Sequence, residues 1–130
     1  MRTAITGLAA TRAERAIPMP WELWRANFIQ TADEQLARAS FGRLVPDPSR
    51  PVFEPIRLRR PVHRVLPASF VAMRDDQVMP AGFWRPGMTG RLPGAQAAEI
   101  GGDHEVMLSA PTRLAGALRH AATAAPGRAA

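Results

Sequence analysis

The chain has 130 residues, 46% of them hydrophobic, and no cysteine, which suits a single globular domain and excludes disulfides, thiolate metal sites and a cysteine nucleophile. Its formal charge of +6 and pI near 11.6 rest on 17 basic residues, all arginine. These are scattered, apart from Arg57, Arg59 and Arg60, and no nucleic-acid-binding motif accompanies them, so a solvated basic surface is a better reading than a polyanion site.

Residues 1–20 are rich in alanine and arginine and close on Ile17-Pro-Met-Pro20, a stretch biased to extended backbone. They read as a flexible leader. The apolar stretch within Met1–Ala10 is too short and interrupted for a signal peptide, and no run approaches the ~20 residues of a membrane span. Cytoplasmic is the expected location. Trp21–Gln30 then carries Trp21, Trp24 and Phe28 at spacings of three and four, which predicts a short helix with one aromatic face. Such a stripe is core or groove lining far more often than a cofactor site.

Thr31-Ala-Asp-Glu34 has the form of a capping box, with Thr31 at the N-cap and Glu34 reaching back to it. The helix it opens is expected over Ala32–Arg43, with Leu36, Ser40 and Leu44 on one face. Pro46 and Pro48 end it, and residues 46–62 read as an extended, proline-rich connector.

Ala68–Met73 is a near-continuous apolar run, as in strands buried in a parallel sheet. The following Pro80–Leu92 stands where a crossover helix belongs, but Gly82, Pro86, Gly87 and Gly90 predict a broken one. Ala95–Ile100 is a second, weaker strand. Ser109 is placed to cap a last helix with Pro111 in its first turn, where a missing N–H does no harm, and with Leu114, Ala117, Leu118 and Ala121 facing inward. Strand, helix, strand, helix is an α/β order, giving a right-handed parallel unit.

In open α/β sheets the reactive groups gather beyond the carboxyl ends of the strands. Asp75, Asp76 and His104 fall there. The stretch between Asp76 and His104 is long enough for a crossover unit, which needs about 10–12 residues, and neighbouring strands lie ~4.8 Å apart, so the two side chains can meet. A carboxylate that fixes one imidazole tautomer makes the histidine a general base. The bland alternatives are that Asp76 turns the chain and that His104 is a polar loop residue. Asp75 and Asp103 read as solvated turn residues, His63 as part of the connector, and His120 as a favourable charge near a helix C-terminus. There is no His-Glu-x-x-His spacing, so no metal is expected.

The run Phe70-Val-Ala-Met-Arg-Asp-Asp-Gln-Val-Met-Pro80, with Gly102-Asp-His104 and Met107-Leu-Ser-Ala-Pro111, resembles the C-terminal part of α/β-hydrolase-fold proteins. The similar branch is that of small bacterial esterases akin to plant methylesterases and hydroxynitrile lyases. The resemblance implies a partial α/β-hydrolase fold, with cap helices, the last two parallel strands and the C-terminal helix. By this reading residues 1–20 are a leader, 21–62 the cap-like helices and connector, 63–122 the end of the hydrolase core, and 123–130 a flexible tail. Asp76 matches the acid of a catalytic triad and His104 its histidine, while Trp21, Trp24 and Phe28 belong to the cap and substrate pocket. No cofactor is implied; the partner of the complete enzyme is a small ester.

The resemblance stops at the nucleophile. That family's serine sits in Gly-x-Ser-x-Gly ahead of the acid, and none of Ser40, Ser49, Ser69 and Ser109 has this context. Met1 is accordingly read as beginning after the elbow, and the chain by itself is expected to be inactive as an esterase. Two other functions compete with this reading. One is a non-catalytic protein that forms a homodimer through the Trp21/Trp24/Phe28 face; the weaker is a basic nucleic-acid binder.

Overall fold

The computed structural model describes residues 16–48, 51, 54–57, 68–84, 90, 92 and 94–124. His63 and most of the proline-rich connector lie outside the described residues, as do residues 1–15 of the leader and 125–130 of the tail.

At the end of the stretch read as a leader, strand β1 (Ala16–Ile17) pairs antiparallel with β2 (Asp47–Pro48), and Ile17 is buried. Pro20 then stands in extended backbone before the first helix. That helix, α1 (Trp21–Leu23), is a single turn that widens into a π-helical turn over Trp24–Phe28, closed by the bond from Ile29 N–H to the Trp24 carbonyl. The widening changes which aromatics share a face. Trp24 is buried and stacks on Phe28, with ring centroids 5.6 Å apart. Trp21 turns to Phe41 instead, edge to face at 5.2 Å, beneath the guanidinium of Arg38.

The second helix, α2 (Glu34–Phe41), is shorter than the expected 32–43, and its cap is not Thr31. Asp33 holds the N-cap position, accepting from the Leu36 N–H at 2.7 Å. Asp is as good a cap as Thr and stands directly before the first helical residue, which releases the Thr31 side chain for a tertiary contact. Glu34 pairs with Arg38 one turn on, at 2.8 Å. Between α1 and α2 lies the main core: Trp24, Ile29, Ala32 and Ala37, flanked by Met19, Trp21, Phe28, Leu36 and Phe41. Trp24 also donates through Nε1 to the Ala37 carbonyl at 3.4 Å.

Both expected strands form. β3 (Ser69–Met73) and β4 (Gln96–Ile100) are parallel and in register from Ser69 opposite Gln96 to Met73 opposite Ile100. The crossover between them opens with α3 (Ala81–Trp84), one turn long; residues 85–89, 91 and 93 are outside the described residues. A short α4 (Val106–Ser109) leads through Ala110 into α5 (Pro111–Ala124), which begins on proline as expected.

The strands are less buried than their composition suggested. Only Ala72 of β3 is buried, and the first four residues of β4 are exposed. Two parallel strands cannot cover their own faces, which in a full sheet are closed by helices and further strands. The same narrowness corrects one residue of α5. Leu114, Ala117 and Ala121 are partly buried, but Leu118, expected on the inner face, is 54% exposed, since among the described residues the sheet offers only two strands to pack on. Among the described residues no helix is long and apolar enough to cross a membrane.

Candidate active site

The strand pairing does not stop at the strand ends. Arg74 N–H donates to the Ile100 carbonyl at 2.8 Å and Asp75 N–H to the Gly102 carbonyl at 3.0 Å. Gly102 N–H returns a bond to the Asp75 carboxylate, also at 3.0 Å. Asp75 is thus exposed, as a turn residue should be, but its carboxylate is engaged in locking the two loops together. Gln30 adds a side-chain bond to the Asp75 carbonyl. Gly102 is required here: its φ is +143°, and a Cβ would stand 2.7 Å from Cγ2 of buried Val106.

This extended pairing brings Asp76 and His104 together. Asp76 is only 2% exposed, and its Oδ1 accepts from the Val78 and Met79 N–H groups at 2.8 Å each. Its other oxygen, Oδ2, lies 2.9 Å from Nδ1 of His104. In neutral imidazole that contact puts the proton on Nδ1 and leaves Nε2 unprotonated. Nε2 has no hydrogen-bond partner among the described residues, and the side chain is 24% exposed. The Phe28 ring meets the imidazole edge to face at 5.2 Å. Asp76 fixes one side of His104 and Phe28 another, so the ring orientation is set by both.

Two residues read as ordinary turn and cap residues prove to be tertiary fasteners. Asp103 is fully buried rather than solvated. Its Oδ2 accepts from Thr31 N–H at 2.9 Å and from the Thr31 hydroxyl at 2.6 Å, and its Oδ1 accepts from the Ser109 hydroxyl at 2.7 Å. Ser109 therefore does not cap α5; it ends α4 and is tied to Asp103. Next to these bonds, Glu105 N–H donates to the Phe28 carbonyl at 3.0 Å. That carbonyl is one of the orphan acceptors at the end of the π turn, so the histidine loop completes the helix terminus. Only the Gly-Gly-Asp-His-Glu clustering of polar groups in an apolar neighbourhood hinted at this in the sequence.

A groove of about 500 Å³ adjoins the histidine loop, with Trp24, Phe28, Leu36, Glu105 and Leu108 in its lining. Of the three aromatics, Trp24 and Phe28 line this groove, whereas Trp21 is not part of the lining. Glu105 has its carboxyl raised above its ordinary value of 4.5, first by burial; His104 pulls it down and Asp103 and Asp76 push it up. Ser40 and Ser109 are both committed to acceptors within the fold. No group of three metal-ligating side chains gathers among the described residues.

No protein-family model matches this sequence, and no curated protein matches it either. Among solved structures, the chain is similar to an extracellular α/β-hydrolase from a Paenibacillus species, described as sharing structural and functional homology with tobacco salicylic acid binding protein 2. The match has a TM-score of 0.80 and 24% identity over 92% of this chain. The chain has a partial α/β-hydrolase fold. It spans about half of that neighbour's length, 50% of which is covered. Within this fold, the loops that follow β3 and β4 carry Asp76 and His104, in contact at 2.9 Å.

Proposed function

We propose that the chain carries the acid–base portion of a carboxylic-ester hydrolase, corresponding to the C-terminal part of the α/β-hydrolase fold, and that it works only with a nucleophile supplied by a complementary segment. The observation that supports this most directly is the 2.9 Å contact between buried Asp76 and Nδ1 of His104, with Nε2 unpartnered among the described residues.

In that reading Nε2 of His104 takes the proton of a serine hydroxyl as the oxygen attacks the ester carbonyl. The new C–O bond forms, the carbonyl π electrons move to oxygen, and on collapse His104 returns its proton to the departing alkoxide. Water then attacks the acyl-enzyme, with His104 taking its proton, and on collapse His104 gives that proton to the serine oxygen as the acid is released. Asp76 stays ionised throughout and stabilises the imidazolium. Its two backbone N–H donors help keep that carboxylate in place.

The test has two parts. The chain alone is expected to show no turnover of a p-nitrophenyl ester. Co-expressed with the nucleophile-bearing N-terminal half of an α/β-hydrolase, it should gain turnover that His104→Ala abolishes. Proton NMR gives an independent readout: a downfield Nδ1–H resonance of His104 should vanish in Asp76→Ala. Its persistence in that variant would sink the dyad reading.

A second reading, self-association, is favoured by the exposed apolar residues Phe83 (61% exposed) and Leu118. Of the Trp21/Trp24/Phe28 face, Trp24 is 4% exposed and belongs to the main core, with Trp21 and Phe28 partly buried against it. Sedimentation at micromolar concentration separates a defined dimer from a monomer.

A further inference from the structure

Three carboxylates surround the histidine loop, and their hydrogen bonds divide them. Asp76 accepts from two backbone N–H groups and holds His104. Asp103 accepts from Thr31 and Ser109. The Glu105 carboxylate accepts no hydrogen bond and makes no ion pair among the described residues, although it is half-buried and lines the groove. A carboxylate in that condition has lost part of its hydration without gaining a donor, an unfavourable state that a donor-bearing ligand would relieve.

The remainder of the wall indicates what kind of ligand. Trp24, Phe28, Leu36, Leu44 and Leu108 make it predominantly apolar and partly aromatic. Its volume falls within the ~300–1,000 Å³ range of small-molecule sites. Two further charged residues, Arg43 and Asp47, line it, but both are exposed and opposite in sign. The charges that act on Glu105 itself include two carboxylates, Asp76 and Asp103, against one imidazole.

We propose that the groove binds small molecules with an apolar, preferably aromatic, body and a cationic or hydrogen-bond-donating head, and that Glu105 selects the head. As a substrate specificity this rests on the hydrolase reading above; as a binding property it needs no nucleophile, so the two can fail separately.

The experiment uses the full chain at about pH 8 and three probes of similar size: 2-phenylethylamine, 2-phenylethanol and 3-phenylpropionate. Binding is followed by NMR shift perturbation of the Trp24 indole. The amine should bind at least tenfold more tightly than the carboxylate, a difference of about 1.4 kcal/mol, with the alcohol between them. Glu105→Gln should bring amine and carboxylate within about threefold of each other while its thermal unfolding shows it folded, and Glu105→Arg should reverse the order. His104→Ala should keep the amine preference. Equal binding of amine and carboxylate by the parent chain, a preference that survives Glu105→Gln, or no Trp24 shift with any probe would overturn the proposal. If the preference holds but complementation gives no His104-dependent turnover, the hydrolase reading falls and the binding site stands.

Discussion

Replacing Asp103 by alanine is the perturbation that most sharply tests how the histidine loop is held. The Asp103 carboxylate is fully buried and accepts three hydrogen bonds, from Thr31 N–H, the Thr31 hydroxyl and the Ser109 hydroxyl. Hydrogen bonds to a charged group contribute about 1.5–3 kcal/mol each. The sum is not the expected effect, because two donors have fallbacks. Thr31 is exposed and its hydroxyl can turn to water, and the Ser109 hydroxyl already lies 3.4 Å from the Glu105 carbonyl. Removing the carboxylate also relieves its own burial. The net loss for Asp103→Ala is therefore about 2–4 kcal/mol, a large part of the roughly 5–15 kcal/mol that holds a domain folded.

Asp103→Asn should lose only about 1 kcal/mol, because its oxygen can still accept from Thr31 while its amide donates to the Ser109 hydroxyl. Urea unfolding followed by tryptophan fluorescence measures both, as a shift in midpoint at unchanged slope. Two results would refute the reasoning. One is Asp103→Ala within about 0.5 kcal/mol of the parent; the other is Asp103→Asn as damaging as Asp103→Ala.

Neighbouring glycines should differ: Gly102→Ala, with φ of +143° and a 2.7 Å approach to Val106, should lower stability by about 2–4 kcal/mol, whereas Gly101→Ala, which meets only the flexible end of Arg113 at 3.5 Å, should lose less than about 1 kcal/mol by thermal melting. Glu105 gives a pH dependence. Because burial raises its carboxyl in the folded state, the folded chain holds this proton more tightly, so stability falls as pH rises from about 4.5 through the raised value. Glu105→Gln should remove that decline, and urea midpoints at about pH 4 and pH 7 compare the two chains. Trp24→Ala, in the main core, should destabilise by about 3–5 kcal/mol, seen as a lower urea midpoint.

What the sequence made legible was whatever local patterning controls. The runs Ala68–Met73 and Ala95–Ile100 became β3 and β4 within one residue, and Pro111 opened α5. Their order placed Asp76 and His104 at the same edge. What stayed hidden was decided by partners distant in sequence. Thr31 and Ser109 both looked like helix caps, and both are drawn to Asp103, which no local rule could show to be buried. The π turn at Trp24–Phe28 was equally illegible, since spacings of three and four suit an α-helix as well. Leu118 kept its amphipathic position and lost its burial, because the width of a sheet is not written in the helix that packs on it.

The span of these bonds also sets an order in time. Asp76 and His104 are 28 residues apart, whereas Thr31 and Asp103 are 72 apart. Closing the longer loop is entropically harder by about 1 kcal/mol. The parallel pair and its dyad should then form early, with the Thr31–Asp103 clasp closing over them afterwards. A clasp absent from the transition state governs how fast the molecule opens, not how fast it folds. Asp103 should thus act as a brake on unfolding, and the lifetime of an ordered His104 should depend on a threonine 72 positions earlier in the chain.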